Sequence, residues 1–143
     1  MNIIFLDYDG VVNTPQINGR PAEMFYPSDN KVNNPYAVKL IQSLCETYAC
    51  DIVVISSWKY ERNYAECLYN SGLSEHIKII DFLPDELDKS EIINRFLDIN
   101  SINKYIIIDD HSISNIDYNN FIKCDYNIGF DIEKYEQAQV ILK

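Results

Sequence analysis

Two acidic pairs dominate the chemistry open to this chain. Asp7 and Asp9 stand one residue apart, directly after the apolar run Ile3-Ile4-Phe5-Leu6 and before Gly10. Asp109 and Asp110 are adjacent and follow Ile106-Ile107-Ile108. Carboxylates this close disfavour one another's ionisation unless a cation lies between them. Three or four such groups suit a hard, oxygen-seeking ion such as magnesium. Ser56 ends a third apolar run, Ile52-Val53-Val54-Ile55, and Lys89 falls at a helix start. A hydroxyl and an ammonium group suit phosphoryl oxygens. Each feature alone is ordinary: Asp-x-Asp-Gly occurs in turns, paired acids open solvated loops, and first-turn lysines are commonly solvated. Their joint occurrence, in this order along the chain, points to metal-assisted chemistry on a phosphate.

The elements around these residues can bring them together. Short apolar runs read as buried strands of a parallel sheet, and open α/β sheets bind ligands at the carboxyl ends of their strands. All such ends share one rim, so acids a hundred positions apart can converge there. After the first strand comes a polar stretch, Thr14 to Asn33, with a turn signal at Asn18-Gly19. Asn34-Pro35 has the form of a helix cap and first turn, and Val38, Ile41, Leu44, Cys45 and Tyr48 follow at helical spacing. Further helices are predicted from about Tyr60 to Asn70, ended by Gly72, after Asp88 with a capping box to Glu91, and from about Ile132 to Leu142. Strands are predicted at Ile77–Ile80, Tyr105–Ile108 and, more weakly, Phe121–Cys124. The resulting order, βαβαβαβ(β)α, implies an α/β fold with a mostly parallel sheet and helices on both faces.

At 143 residues and 47% apolar, the chain suits a single globular domain spanning 1–143, with the stretch at about 14–33 as a flap. No apolar run approaches a membrane span, and the first strand begins at residue 2, so no membrane contact and a cytoplasmic location are expected. The balance of 12 basic against 22 acidic residues argues against a broad non-specific grip on nucleic acid, though not against recognition of one terminal phosphate. Cys45, Cys50, Cys67 and Cys124 form no Cys-x-x-Cys pair and read as reduced thiols. His76 and His111 sit in no motif, but His111 follows the second acidic pair and is near enough in the chain to approach the same place.

The order of the motifs resembles the haloacid dehalogenase (HAD) superfamily of phosphotransferases. Phe5-Leu6-Asp7-Tyr8-Asp9-Gly10-Val11-Val12 is similar to its first motif, Ile52-Val53-Val54-Ile55-Ser56 to its second, and Ile106-Ile107-Ile108-Asp109-Asp110 to its fourth. Lys89 is the candidate for the third, with Lys78, Lys104 and Lys59 as alternatives. Within the superfamily, Ser56-Ser57-Trp58-Lys59 resembles the Ser-Ser-Trp-Arg motif of small HAD domains associated with RNA repair, with Lys59 in place of the arginine; polynucleotide 3′-phosphatases carry a related domain. Lysine lacks the two-pronged phosphate contact of a guanidinium.

The resemblance implies a Rossmann-like HAD fold with a minimal cap or none, and a magnesium-dependent phosphatase. Asp7 would be the nucleophile that forms an aspartyl-phosphate, and Asp9 the acid and base. Magnesium would be held by Asp7, the Asp9 carbonyl and one of Asp109 and Asp110. Ser56 and Lys89 would stabilise phosphoryl charge, and Gly10, Ser57, Trp58 and Lys59 are the expected substrate contacts. Trp58 could also offer a face for base stacking. The step of 20 positions from Lys89 to Asp109 leaves no space for a lid there, and an open site favours a phosphate displayed on something large, such as a polynucleotide end. Free nucleotides or small phosphometabolites are the alternative substrates, and a HAD fold serving only as a binding module is the alternative of a different class. A phosphoacceptor receiver domain shares the ingredients, but it places the acidic pair first, whereas here Asp-x-Asp opens the series.

Overall fold

A computed structural model of the chain describes residues 1–17, 20–21, 33–56, 64–82 and 88–143. Five strands form one sheet: β1 (Asn2–Leu6), β4 (Cys50–Val54), β5 (Ile79–Ile80), β6 (Lys104–Asp109) and β7 (Phe121–Lys123). Their spatial order is β5-β4-β1-β6-β7, and every pairing is parallel. A two-stranded antiparallel pair, β2 (Gln16–Ile17) and β3 (Arg20–Pro21), flanks the Asn18-Gly19 turn signal, with Ile17 opposite Arg20. Among the described residues the α-helices are α1 (Pro35–Tyr48), α2 (Tyr64–Asn70), α3 (Lys89–Ile99) and α4 (Ile132–Leu142). This is the expected α/β, Rossmann-like architecture. The chain runs outward from β1 through β4 to β5, then crosses back to β6 on the other side of β1. That reversal opens a crevice between the carboxyl ends of β1 and β6, where such sheets take their ligands.

The period of two along each strand divides the core into two layers. Ile4, Leu6, Ile52, Val54, Ile106 and Ile108 face α1 and α4. Ile3, Phe5, Val53 and Ile107 face α3 through Ile92, Ile93 and Phe96. Phe5 meets Phe96 and Tyr105 edge-on, with ring centroids 5.7 and 5.9 Å away. Ser43 Oγ and Tyr135 Oη, 2.9 Å apart, tie α1 to α4 on the opposite side.

Local signals set the helix starts. Asn34 caps α1 by accepting from the Tyr36 amide at 3.0 Å, and Pro35 occupies the first turn, where its missing N–H costs nothing. Asp88 caps α3, accepting from the Glu91 amide and from Ser90 Oγ, each at 2.9 Å. Strand limits follow pairing instead. β4 begins at Cys50 because Cys50 and Asp51 lie opposite Asn2 and Ile3, two residues before the apolar run predicts. β5 is confined to Ile79–Ile80, the two residues that pair with β4. The helix predicted from about residue 60 is described from Tyr64, since residues 57–63 lie outside the described residues. Most of the expected flap, residues 18–19 and 22–32, also lies outside them. Among the described residues, no helix is long and apolar enough to cross a membrane.

Phe5 is completely buried beneath the acid-bearing end of β1. Phe5→Ala is expected to lower unfolding stability by about 3–5 kcal/mol, measured by urea denaturation. A loss below about 1 kcal/mol would show that α3 does not pack on this face as described.

Candidate active site

The strand alternation that buries Phe5 against α3 also aims the acids. Asp7 continues the series Ile3, Phe5, and Asp109 continues Ile107, so both carboxylates emerge on the face that α3 covers. They are level across adjacent strands, since Leu6 pairs with Ile108 and the Asp7 amide donates to the Ile108 carbonyl at 3.1 Å. Lys89, at the start of α3, reaches back over the rim. Its Nζ donates to Asp109 Oδ2 at 2.7 Å and lies 3.3 Å from Asp7 Oδ1. Capping by Asp88 fixes where that helix begins and hence where Lys89 stands. Lys104 instead opens β6 at the opposite edge, its Nζ 3.4 Å from the Leu142 carbonyl, and Lys78 precedes β5 on that same edge. Lys59 lies outside the described residues.

Burial makes this cluster electrostatically demanding. Asp7 is 5% exposed and Asp109 is wholly buried. Loss of solvent pushes the Asp7 carboxyl up to about 7, reinforced by the Asp109 charge and opposed by Lys89 and the Tyr8 amide. The same burial depresses the Lys89 ammonium, yet the charges and hydrogen bonds of Asp7 and Asp109 outweigh it and hold its pKa above the ordinary value. Asp110 stands beside both acids. Burial raises its carboxyl, but hydrogen bonding with His111, and with the Asp109 and Asp7 carboxyls, prevails and leaves it below the usual range. His111 Nδ1 lies 3.0 Å from Asp110 Oδ1, and the His111 amide donates to Asp109 Oδ1 at 3.0 Å.

Gly10 allows this crowding. Its φ is +78°, and a Cβ there would lie 2.5 Å from Asp110 Oδ2. The turn it begins is tight: the amides of Val11, Val12 and Asn13 all donate to the Tyr8 carbonyl, at 3.1, 2.9 and 2.9 Å. Tyr8, of opposite parity to Asp7, is buried in the α1–α4 layer. Asp9 is exposed at the mouth, where Asn13 Nδ2 donates to its Oδ1 at 2.9 Å. Gly129, with φ +77°, lets the loop before α4 press on this turn; a Cβ there would meet the Val11 carbonyl at 2.5 Å.

Ser56 is 3% exposed and follows Ile55, whose amide donates to the Leu6 carbonyl at 2.9 Å, so it leaves β4 beside the end of β1. Of the expected residues, Asp7, Lys89, Asp109 and Asp110 thus meet directly, and Asp9, Gly10 and Ser56 lie on the same rim. Ser57, Trp58 and Lys59 lie outside the described residues. Asn13 and His111 enter the site without a motif of their own; the only sequence signal for either is its place just after an acidic pair. A separate groove of about 790 Å³ between α1 and the loop leading into α4, lined by Tyr36, Leu40, Ile128 and Phe130 among others, includes none of Asp7, Asp9, Asp109 and Asp110.

The acids also have donors suited to a cation. Asp109, Asp110 and His111 offer ligand atoms within 4.8 Å of one another. Carboxylate oxygens predominate, Asp7 adds another, and one lysine cannot neutralise three buried acids. This donor set fits magnesium.

Comparison with known proteins agrees with this arrangement. No curated protein and no solved structure matches the chain. The model of one family, described as the HAD domain in Swiss Army Knife RNA repair proteins, matches residues 3–135. That span runs from the first strand through both acidic pairs into α4. The chain therefore belongs to this family of HAD domains.

Proposed function

We propose that the protein is a magnesium-dependent phosphomonoester hydrolase that works through an aspartyl-phosphate on Asp7 and acts on a terminal phosphate of a nucleic acid. The observation that carries this reading is the contact of the half-buried Lys89 Nζ with both Asp7 and Asp109. It sets a carboxylate beside a fixed positive charge at the ligand-binding rim of the sheet.

An oxygen of the Asp7 carboxylate attacks phosphorus, and the bond from phosphorus to the leaving oxygen breaks. Asp9, two residues on and at the mouth, gives its proton to that oxygen. As carboxylate it then takes a proton from water, which attacks the phosphorus of the aspartyl-phosphate and returns Asp7 with release of phosphate. Lys89 holds Asp7 in place and offsets the negative charge that gathers as phosphate approaches. Ser56 donates to a phosphoryl oxygen. Asp7, the Asp9 carbonyl, Asp109 and Asp110 would hold magnesium, which supplies Lewis-acid neutralisation of phosphate charge. The nucleic-acid substrate is supported by the family to which the chain belongs. With a formal charge of −10, recognition would centre on the end of a strand instead of its length.

Hydrolysis of p-nitrophenyl phosphate should require magnesium, and full activity in chelator would remove the cation from the reaction. Asp7→Asn should lower kcat by about 10³-fold or more; retention of about a tenth of the rate would exclude Asp7 as nucleophile. A panel of 3′-phosphorylated oligonucleotides, mononucleotides and phosphopeptides tests the substrate class. Preference for mononucleotides would overturn the polynucleotide reading while leaving the chemistry intact.

The raised Asp7 carboxyl also implies a pH dependence in chelator. Between 3.8 and about 7, the unfolded chain has released this proton while the folded chain retains it. The folded state binds more protons there, so its stability falls as pH rises through that window and levels off above it. Urea denaturation should show the stability of the parent protein relative to Asp7→Asn falling between about pH 4 and pH 7. A difference independent of pH would contradict the raised value.

A further inference from the structure

We propose that His111 is a positioning residue that holds the Asp110 carboxylate in the orientation needed to bind the cation. The proposal rests on the magnesium site of the proposed function and assigns a further residue to it. Two contacts define the carboxylate. His111 Nδ1 lies 3.0 Å from Asp110 Oδ1, and Oδ2 occupies space that only glycine at position 10 leaves open. Between these limits the Asp110 side chain is 4% exposed, and its carboxylate offers an oxygen within 4.8 Å of one from Asp109.

The two acids of the pair are held differently. Asp109 Oδ2 accepts from Lys89 and Oδ1 from the His111 amide, so its placement follows from α3 and from the backbone. Asp110 receives no lysine among the described residues, and the His111 ring is the cationic or neutral donor that fixes it. An imidazole that donates through Nδ1 does so in its protonated form and in one neutral tautomer alike. The ring itself is 81% exposed, so little packing depends on it. Its backbone and side chain together span the acidic pair: the amide restrains one carboxylate and the ring the next. Partners of this kind, which orient a ligand without binding the ion, typically contribute 10–100-fold in metal affinity.

The test is magnesium binding by isothermal titration calorimetry on the full chain, compared among the parent, His111→Ala and His111→Asn. An asparagine amide nitrogen can take the place of Nδ1. His111→Ala is expected to weaken magnesium about 10–100-fold, with an unchanged circular dichroism spectrum, and His111→Asn to recover most of that loss. Equal affinity in the parent and His111→Ala would overturn the role of His111 alone. Failure of the parent protein to bind magnesium would overturn the cation site itself, and this proposal with it. In the manganese-loaded protein, a nitrogen hyperfine signature of directly coordinated imidazole would also overturn the proposal, because it would make His111 a ligand. Its absence, with the expected affinities, supports positioning.

Discussion

The site turns on one electrostatic problem: Asp7, Asp109 and Asp110 are packed together out of solvent. Lys89 is the direct answer within the chain, bound to two of the three. Breaking a buried ion pair on one side leaves an uncompensated charge, which is far more costly than the net gain of forming it. The arrangement is therefore poor evidence of design for stability. It makes sense as a place kept ready for more positive charge, and the proton retained by Asp7 to about pH 7 marks the same unmet demand. Each support of the site can be traced to this constraint. Asp88 fixes the first turn of α3, Gly10 leaves space for Asp110, and the loop before α4 backs the turn after Asp7.

Much of this was legible in the residues because the relevant signals are local. Apolar runs ending in acids identify β1 and β6, Asn34-Pro35 and Asp88 identify helix starts, and Ile132–Leu142 has the same limits in sequence and structure. The choice of Lys89 over Lys78 and Lys104 could not be made from sequence, since it depends on which end of the sheet each lysine reaches. The structure distinguishes them through the direction of α3 and β6. Strand limits were equally hidden. Cys50 and Asp51 carry no strong strand signal, and they extend because Asn2 and Ile3 offer them partners.

His111 and Asn13 illustrate a different limit. A histidine after two acids, or an asparagine four residues beyond another, has no distinctive pattern. Their parts emerge only once the turn is closed and the His111 ring and the Asn13 amide fall within reach of Asp110 and Asp9. The pair Gln16–Ile17 and Arg20–Pro21 lies between these cases: Asn18-Gly19 is a turn signal in the sequence, but only the pairing of Ile17 with Arg20 identifies the two antiparallel strands.

The alternation along β1 has a wider consequence. Asp7 and Tyr8 belong to opposite layers because successive side chains leave a strand on opposite sides. Deleting or inserting a single residue within Asn2–Leu6 would exchange them, driving a phenol towards Lys89 and Asp109 and a carboxylate into oil. Length variation ahead of Asp7 is thus quantised: among descendants of such a chain, this strand can be shortened or lengthened only in pairs.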